Sequence, residues 1–444
     1  MTHTTTTDTL TAANMAFARR YAGEAGTRQP VHTVYGGAQL FAADTITKIG
    51  GVARRALGEY APNPAALGEA LRIEAHPSLS TIHERVFEKL AREPVEDYRV
   101  DFEDGYGNRG DATEDAHAEA AGEAIVFALA NGTLSPFIGI RVKPLNEEMR
   151  ARSIRTLEIV VKKITALAGD LPNNFVVTIP KVTILEQVDY VVARLDRLER
   201  ECGIPAGSLR FEVMVETPQI ILDAEGRSLL PRVLDASHGR LSAAHFGTYD
   251  YTAGVNVTAA HQRMRHPACD FAKHMMQVAY AGTGVWLSDG STTVMPVPVH
   301  RHAAGDAPLT AAQVAANRAR VHHAWKLHFD DIQHSLIGGF YQGWDLHPAQ
   351  LVSRYAALYA FFLDGIDAAG ARLKNFVEKA AQATLVGDVF DDAATGQGLL
   401  NFFLRGINSA AITEGEAERL TGVTADEFRE RSFVKILKNR GGPV

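Results

Sequence analysis

Six apolar, strand-length runs along the chain each finish in a polar or charged residue, and longer amphipathic stretches separate them. The runs are YRVDFEDG, FIGIRVKP, FVVTIPKV, RFEVMVETP, AAHFGTYD and GVWLSDG. Measured between Asp101, Arg141, Lys181, Glu216, Asp250 and Asp289, the steps are 40, 40, 35, 34 and 39 residues, about the length of one strand plus one crossover helix. Between the runs, Ile154, Leu157, Val161, Ile164 and Leu167 recur every three or four positions, and so do Leu185, Val188, Val192, Leu195 and Leu198. Each set makes one apolar face of a helix. TIPKV and FEVMVET are apolar on both faces, as strands between a packed interior and a ring of helices should be. The pattern predicts an α/β fold, a parallel (β/α)8 TIM barrel whose strands end at one mouth, so that strand-end polar residues form a single site.

The ends of the chain extend this outline. Residues 1–30 predict a helical arm, and VHTVYGG at 31–37 the first strand. The segment 40–97 is longer than one crossover helix needs and predicts an extra hairpin or helix around LRIEAHPSLS. HSLIGGFYQGWDLHP at 334–348 reads as the last strand with its polar end, followed by a long helix from near Pro348. The expected domains are the arm 1–30, the catalytic barrel 31–370 and a small helical extension 371–444 acting as a cap or an oligomerisation element of a homo-oligomer. With 444 residues and 46% apolar composition, one barrel with insertions and a tail accounts for the length.

Composition narrows the class of function. Against 52 acidic residues there are 45 basic ones, a net charge of −7, so the chain lacks the electrostatic footprint of a nucleic-acid or anionic-membrane partner. Two cysteines without a C-x-x-C suit a reducing compartment. The Thr-rich start lacks the basic and apolar regions of a secretory signal, and YAALYAFFL at 355–363 is too short to span a bilayer. A soluble cytoplasmic protein acting on small molecules is expected.

Glu216 and Asp250 follow neighbouring apolar strands, so two carboxylates would meet at the mouth. A hard divalent cation, Mg²⁺ or Mn²⁺, resolves the repulsion between them; alternatively both acids cap the helices that follow. Asp101, Glu103 and Asp104 concentrate more negative charge, with Asp101 and Glu103 on one strand face and Phe102 and Asp104 on the other. These acids read either as proton carriers and holders of metal-bound water or as partners for Arg141 and Lys181. The Arg141 guanidinium, at a buried strand end, calls for a carboxylate of substrate or protein. Lys181 offers a Schiff-base alternative. GYGNRG at 105–110 fits the dinucleotide pattern G-x-G-x-x-G, but acids precede it and Arg141 and Lys143 stand where a ribose-binding acid belongs. Of the 17 histidines, including His300, His302, His322, His323 and His328, none has metal-ligand spacing. His347, near the last strand's end, reads as a mouth residue or as a turn histidine before Pro348.

Taken in order, DFED, IRV, PK, the ET of VET, FG-x-x-D and HP-x-Q resemble the family joining citrate lyase β-subunit-like lyases, HpcH/HpaI-type aldolases and, more distantly, malate synthases, over roughly residues 31 to 360. That resemblance implies Mg²⁺ or a similar ion on Glu216 and Asp250. It also implies Arg141 against a 2-oxo acid or its enolate, and the backbone at Gly247 and Thr248 receiving the substrate carboxylate. HpcH-type aldolases carry a catalytic histidine where this chain has Asp104, which brings it nearer the citrate lyase and malate synthase branch. The base stays open among the DFED acids and tail aspartates such as Asp388, Asp391 and Asp392. The expected activity is metal-dependent carbon–carbon cleavage or formation of a small hydroxy acid through an enolate of a 2-oxo acid or acyl fragment, with a CoA thioester as a further candidate substrate. Its rivals are a malate synthase-like or acyl-CoA lyase or thioesterase reaction, a Schiff-base aldolase on Lys181, a nicotinamide oxidoreductase and a non-catalytic binding barrel.

Overall fold

A computed structural model describes residues 6–23, 27–301, 307–378, 384–386, 389–391 and 393–440. Eight parallel strands close into a barrel in chain order: β1 (His32–Gly37), β2 (Asp97–Asp101), β3 (Phe137–Arg141), β4 (Phe175–Ile179), β5 (Arg210–Val215), β6 (Leu241–Phe246), β7 (Trp286–Ser291) and β8 (Gln342–Asp345). β8 returns to β1 through the pairs His32↔Gly343, Thr33↔Trp344 and Val34↔Asp345. The expected (β/α)8 barrel is therefore the fold. Val100, Ile138, Ile140, Val177 and Val213 are fully buried and join the core beneath the helices, while alternate residues such as Arg99, Thr178 and Glu212 meet one another across the interior.

The long segment after β1 forms three helices, Thr45–Tyr60, Pro64–Leu71 and Leu79–Arg92. LRIEAHPSLS joins the last two, so the extra element is a helix and not a hairpin. Asn63 starts the middle one: its side chain accepts a hydrogen bond from Ala66 N at 2.9 Å, with Pro64 in the first turn. The last strand is shorter than expected. HSLI belongs to the helix Ala311–Ile337, because Ser335 and Leu336 continue its buried face, and Gly338 and Gly339 (φ 82°) end it.

One strand-end expectation is overturned. Asp289 lies within β7 and faces the helical layer, bonded to Lys273 Nζ at 3.0 Å and Ser335 Oγ at 2.6 Å. The two-residue alternation of a strand puts its neighbours Ser288 and Gly290 on the interior side instead.

The arm is the helix Thr6–Arg20, tied down at its end by the Arg20–Asp235 pair and a Gly23 N–Gly282 O bond of 2.8 Å. Position 371 falls inside the helix Ile366–Glu378. Arg405, in the helix Ala393–Asn408, donates to Gln29 Oε1 at 2.5 Å, and Gln29 in turn donates to Gln342 at the start of β8. The described residues of the extension thus meet the barrel at the amino ends of its strands, opposite the mouth. Asp388 and Asp392 lie outside the described residues, and Asp391 closes the short strand Val389–Asp391. Among the described residues no helix is long and apolar enough to cross a membrane.

Candidate active site

At the carboxyl ends of the strands a cavity of about 320 Å³ opens, with Tyr35, Asp101, Arg141, Glu216, Asp250 and Trp344 in its lining. Five of the six strand-end polar residues read from the sequence reach this region; Asp289 is the exception.

Asp101, the last residue of β2, takes four donors. Arg141 Nε and Nη2 reach its two oxygens at 2.7 and 2.6 Å, and the N–H groups of Glu103 and Gly105 add bonds of 3.0 and 2.7 Å. Burial pushes its carboxyl up, but the Arg141 guanidinium and these N–H groups together hold it below the usual carboxylate range. A carboxylate so fully engaged is a positioning group for Arg141. The guanidinium also touches Glu103 at 3.2 Å, and lies 4.8 Å from the ring centre of Tyr35 and 5.7 Å from that of Trp344.

Beyond Asp101 the strand ends and the chain turns back, with Tyr106 N and Gly107 N both bonded to Glu103 O. Lys143 Nζ props this turn through the carbonyls of Phe102 (2.7 Å) and Gly107 (3.1 Å). The turn carries Asp104 into the cavity lining while Phe102 stays buried, so the expected pairing of Asp104 with Phe102 on one face fails. A strand's alternation does not survive into a turn. In GYGNRG, Gly107 and Gly110 adopt the positive φ values that glycine favours (75° and 80°). Gly105 N is spent on Asp101, so these glycines serve the turn.

Lys181 lies two residues past β4, in the left-handed region at φ 51°. Its ammonium bonds Glu103 Oε1 and stands 3.3 Å from Asp104 Oδ2 and 3.4 Å from Asp250 Oδ2. Despite burial, the surrounding carboxylates, Glu216 and Glu103 foremost, raise its pKa. Its N–H donates to Glu216 Oε1 at 2.8 Å. Glu216 is 2% exposed, and its other oxygen lies so near Gly247 that a Cβ there would come within 2.5 Å. Burial, with the charges of Asp250 and Glu103 adding to it, raises the Glu216 carboxyl to about 8, against the pull of Lys181 and Arg141.

The mouth is short of positive charge: five carboxylates, Asp101, Glu103, Asp104, Glu216 and Asp250, face two cations, Arg141 and Lys181. Among the described residues no three His, Cys, Asp or Glu side chains converge on one point as a closed metal cage would require. A hexacoordinate hard ion needs fewer. Two carboxylates with waters and substrate oxygens suffice for Mg²⁺ or Mn²⁺, and the excess of carboxylates over cations around buried Glu216 makes a donor set that such a charge fits.

Gly247 and Thr248 also line the cavity. Gly247 N is committed to Val215 O at 3.0 Å, whereas Thr248 Oγ1 is buried without a hydrogen-bond partner. The floor of the cavity is built from residues outside the strand-end pattern. Tyr35 and Trp344 stack with ring centres 4.5 Å apart, and Met214 packs against them in a small apolar cluster inside the barrel. Trp344 Nε1 too has no partner. The available signal was an aromatic residue just short of the two glycines that end β1 and of the aspartate that ends β8. His347 takes the turn role, with its ring Nδ1 accepting from Ala349 N at 3.2 Å. His322 bonds Tyr60 O and His328 bonds Ser353, both away from the mouth; His300 pairs with Asn317 through its backbone, and His302 lies outside the described residues.

Comparison with known proteins adds four findings. The sequence matches the model of "Domain of unknown function (DUF6986)" over residues 10–436. It is 34% identical over 114 residues to the L-malyl-CoA/beta-methylmalyl-CoA lyase of Haloarcula marismortui; the match spans 26% of this chain and 30% of that lyase. The fold superposes on a citrate lyase from Burkholderia xenovorans LB400 with a TM-score of 0.57 at 17% identity, covering 90% of this chain and 98% of the other. A malate synthase from Haloferax volcanii aligns at TM-score 0.48 and 15% identity, covering 90% and 96%.

Proposed function

The chain belongs to the DUF6986 family, and we propose that its barrel is a metal-dependent carbon–carbon lyase acting on a small hydroxy acid or its CoA thioester. The observation that carries the reading is the excess of carboxylates over cations around buried Glu216 at the mouth of the barrel. The likeness of part of the chain to a malyl-CoA lyase supports the reaction class.

Glu216 and Asp250 are the residues that hold Mg²⁺ or Mn²⁺. When bound, the ion supplies a Lewis acid for a substrate carbonyl and for the enolate that C–C cleavage leaves. Arg141, fixed by both oxygens of Asp101, presents its Nη1 edge, which lies 3.2 Å from Glu103, as a permanent positive charge for the substrate carboxylate or developing oxyanion. Tyr35 and Trp344 close the floor and keep water from the reacting carbons. Asp101 is too heavily bonded to carry a proton, and Glu103 lies between Arg141 and Lys181. Asp104, its side chain 61% exposed and 3.3 Å from Lys181 Nζ, is the most solvent-open DFED acid and takes the substrate hydroxyl proton at a carboxylate oxygen. The Schiff-base alternative needs a neutral Lys181 amine, which the raised pKa and surrounding acids oppose.

The test is turnover of malate, citramalate and malyl-CoA by metal-stripped protein with Mn²⁺ restored, the released 2-oxo acid being trapped as its phenylhydrazone. Cleavage that requires the ion and disappears in Glu216→Gln is expected. Turnover that persists in EDTA, with substrate fixed to Lys181 by borohydride, would overturn the assignment.

A further inference from the structure

Lys181 deserves a role other than that of a nucleophile. An ammonium has three hydrogens to give, and this one is surrounded by three carboxylates: Glu103, Asp104 at 3.3 Å and Asp250 at 3.4 Å. A left-handed backbone at a non-glycine residue is strained. At φ 51° that strain is held in place by two contacts at once, the Lys181 N–H on Glu216 Oε1 at 2.8 Å and the side chain's reach to Glu103. The backbone of Lys181 thus grips one proposed metal ligand while its ammonium sits on the other. A cation placed on Asp250 Oδ2 would meet Lys181, because that oxygen, on a side chain 41% exposed, lies 3.4 Å from the ammonium.

We infer that Lys181 is a built-in counter-cation of the mouth, which a divalent ion must displace from Asp250 in order to bind. The inference rests on the metal reading above. In the metal-free protein the ammonium bridges Asp250 to Glu103 and keeps the acids from repelling one another apart. As the ion arrives, the Lys181–Asp250 contact breaks and the ammonium retreats onto Glu103 and Asp104, where it stays within the site as a fixed positive charge. The chain therefore sets its own threshold for metal: an ammonium within 4 Å of a ligand atom opposes a second cation at the same oxygen, and the site loads only above an ion concentration that this residue defines.

The experiment is a titration of metal-stripped full-length protein with Mn²⁺, free ion being read by electron paramagnetic resonance, in wild type, Lys181→Gln and Lys181→Arg. Lys181→Gln should bind Mn²⁺ at least tenfold more tightly, and Lys181→Arg no more tightly than wild type. Lys181→Gln should also melt lower than wild type in EDTA and recover part of that loss at saturating Mn²⁺. In wild type, acetylation of Lys181 by acetic anhydride, followed by mass spectrometry, should change when Mn²⁺ is added, a readout that needs no variant to fold. Equal or weaker Mn²⁺ binding by a folded Lys181→Gln, or Lys181 reactivity indifferent to Mn²⁺ that does bind, would overturn the displacement and leave the lyase reading standing. Absence of Mn²⁺ binding by all three proteins would overturn both.

Discussion

Glu212 and Glu216 lie four residues apart in the same run, RFEVMVET, both buried to 2% exposure, yet their environments drive them in opposite directions. Glu212 belongs to a charged layer in the lower half of the barrel. Arg99 donates to it through Nε (2.8 Å) and Nη2 (2.9 Å), His245 Nε2 lies 2.9 Å from its second oxygen, and Arg99 Nη1 reaches Asp97, which Thr33 also bonds at 2.9 Å. Burial pushes the Glu212 carboxyl up, but Arg99 and His245 hold it far below the usual range. Glu216, one layer higher, accepts only the Lys181 backbone N–H among the hydrogen bonds described, and burial outweighs the pull of Lys181 and Arg141, raising its carboxyl to about 8. The same residue type at the same depth is structural where its partners suffice and poised for a ligand where they do not.

The sharpest way to break this comparison is to neutralise each acid's surroundings in turn. Glu216→Gln should cost at least about a thousandfold in turnover, roughly 4 kcal/mol of barrier, while the metal-free protein melts no lower than wild type. If it unfolds instead, Glu216 is structural after all. Arg99→Met should do the reverse, destabilising the fold by about 3–5 kcal/mol in urea titration because two buried acids lose their cation, or preventing folding outright.

A pH series sharpens the contrast further. A carboxyl whose folded pKa lies above its unfolded value binds protons more tightly in the native state, so the Glu216 contribution to stability falls as pH rises from its ordinary value of 4.5 toward about 8. Glu212, with its folded pKa depressed, contributes the opposite slope: stability present above the ordinary carboxylate range and lost as pH falls below it. Metal binding must displace the Glu216 proton, so Mn²⁺ affinity should rise about tenfold per pH unit up to about 8. Calorimetric titration at several pH values measures this slope, and Glu216→Gln should abolish it. The smallest effect on catalysis is expected at Asp289. Since it faces the helices on Lys273 and Ser335, Asp289→Asn should change turnover less than about twofold while lowering the melting temperature, as loss of a buried ion-pair partner does.

Much of the barrel was legible because its strands obey a rule that repeats: both faces apolar, polar at the end, one crossover helix apart. That rhythm locates Asp101, Arg141, Lys181, Glu216 and Asp250 near one mouth. It misplaced Asp289, which lies two residues before the end of its strand with its side chain toward the helices, and Asp104, where a turn replaces the strand. It passed over Tyr35 and Trp344, since an aromatic residue in an apolar run looks the same whether it packs beneath a helix or floors a site.

The order of apolar runs and their polar ends thus determined the fold and brought five charged residues to its mouth, since hydrophobic periodicity is a local property read one element at a time. Only the closed barrel decided which acids meet a cation. Arg99 reaches Glu212 across 113 residues and Lys181 reaches Glu103 across 78, and pairings over such separations exist only after the strands have been brought side by side. Whether a buried carboxylate ends up satisfied or wanting depends on that count of partners.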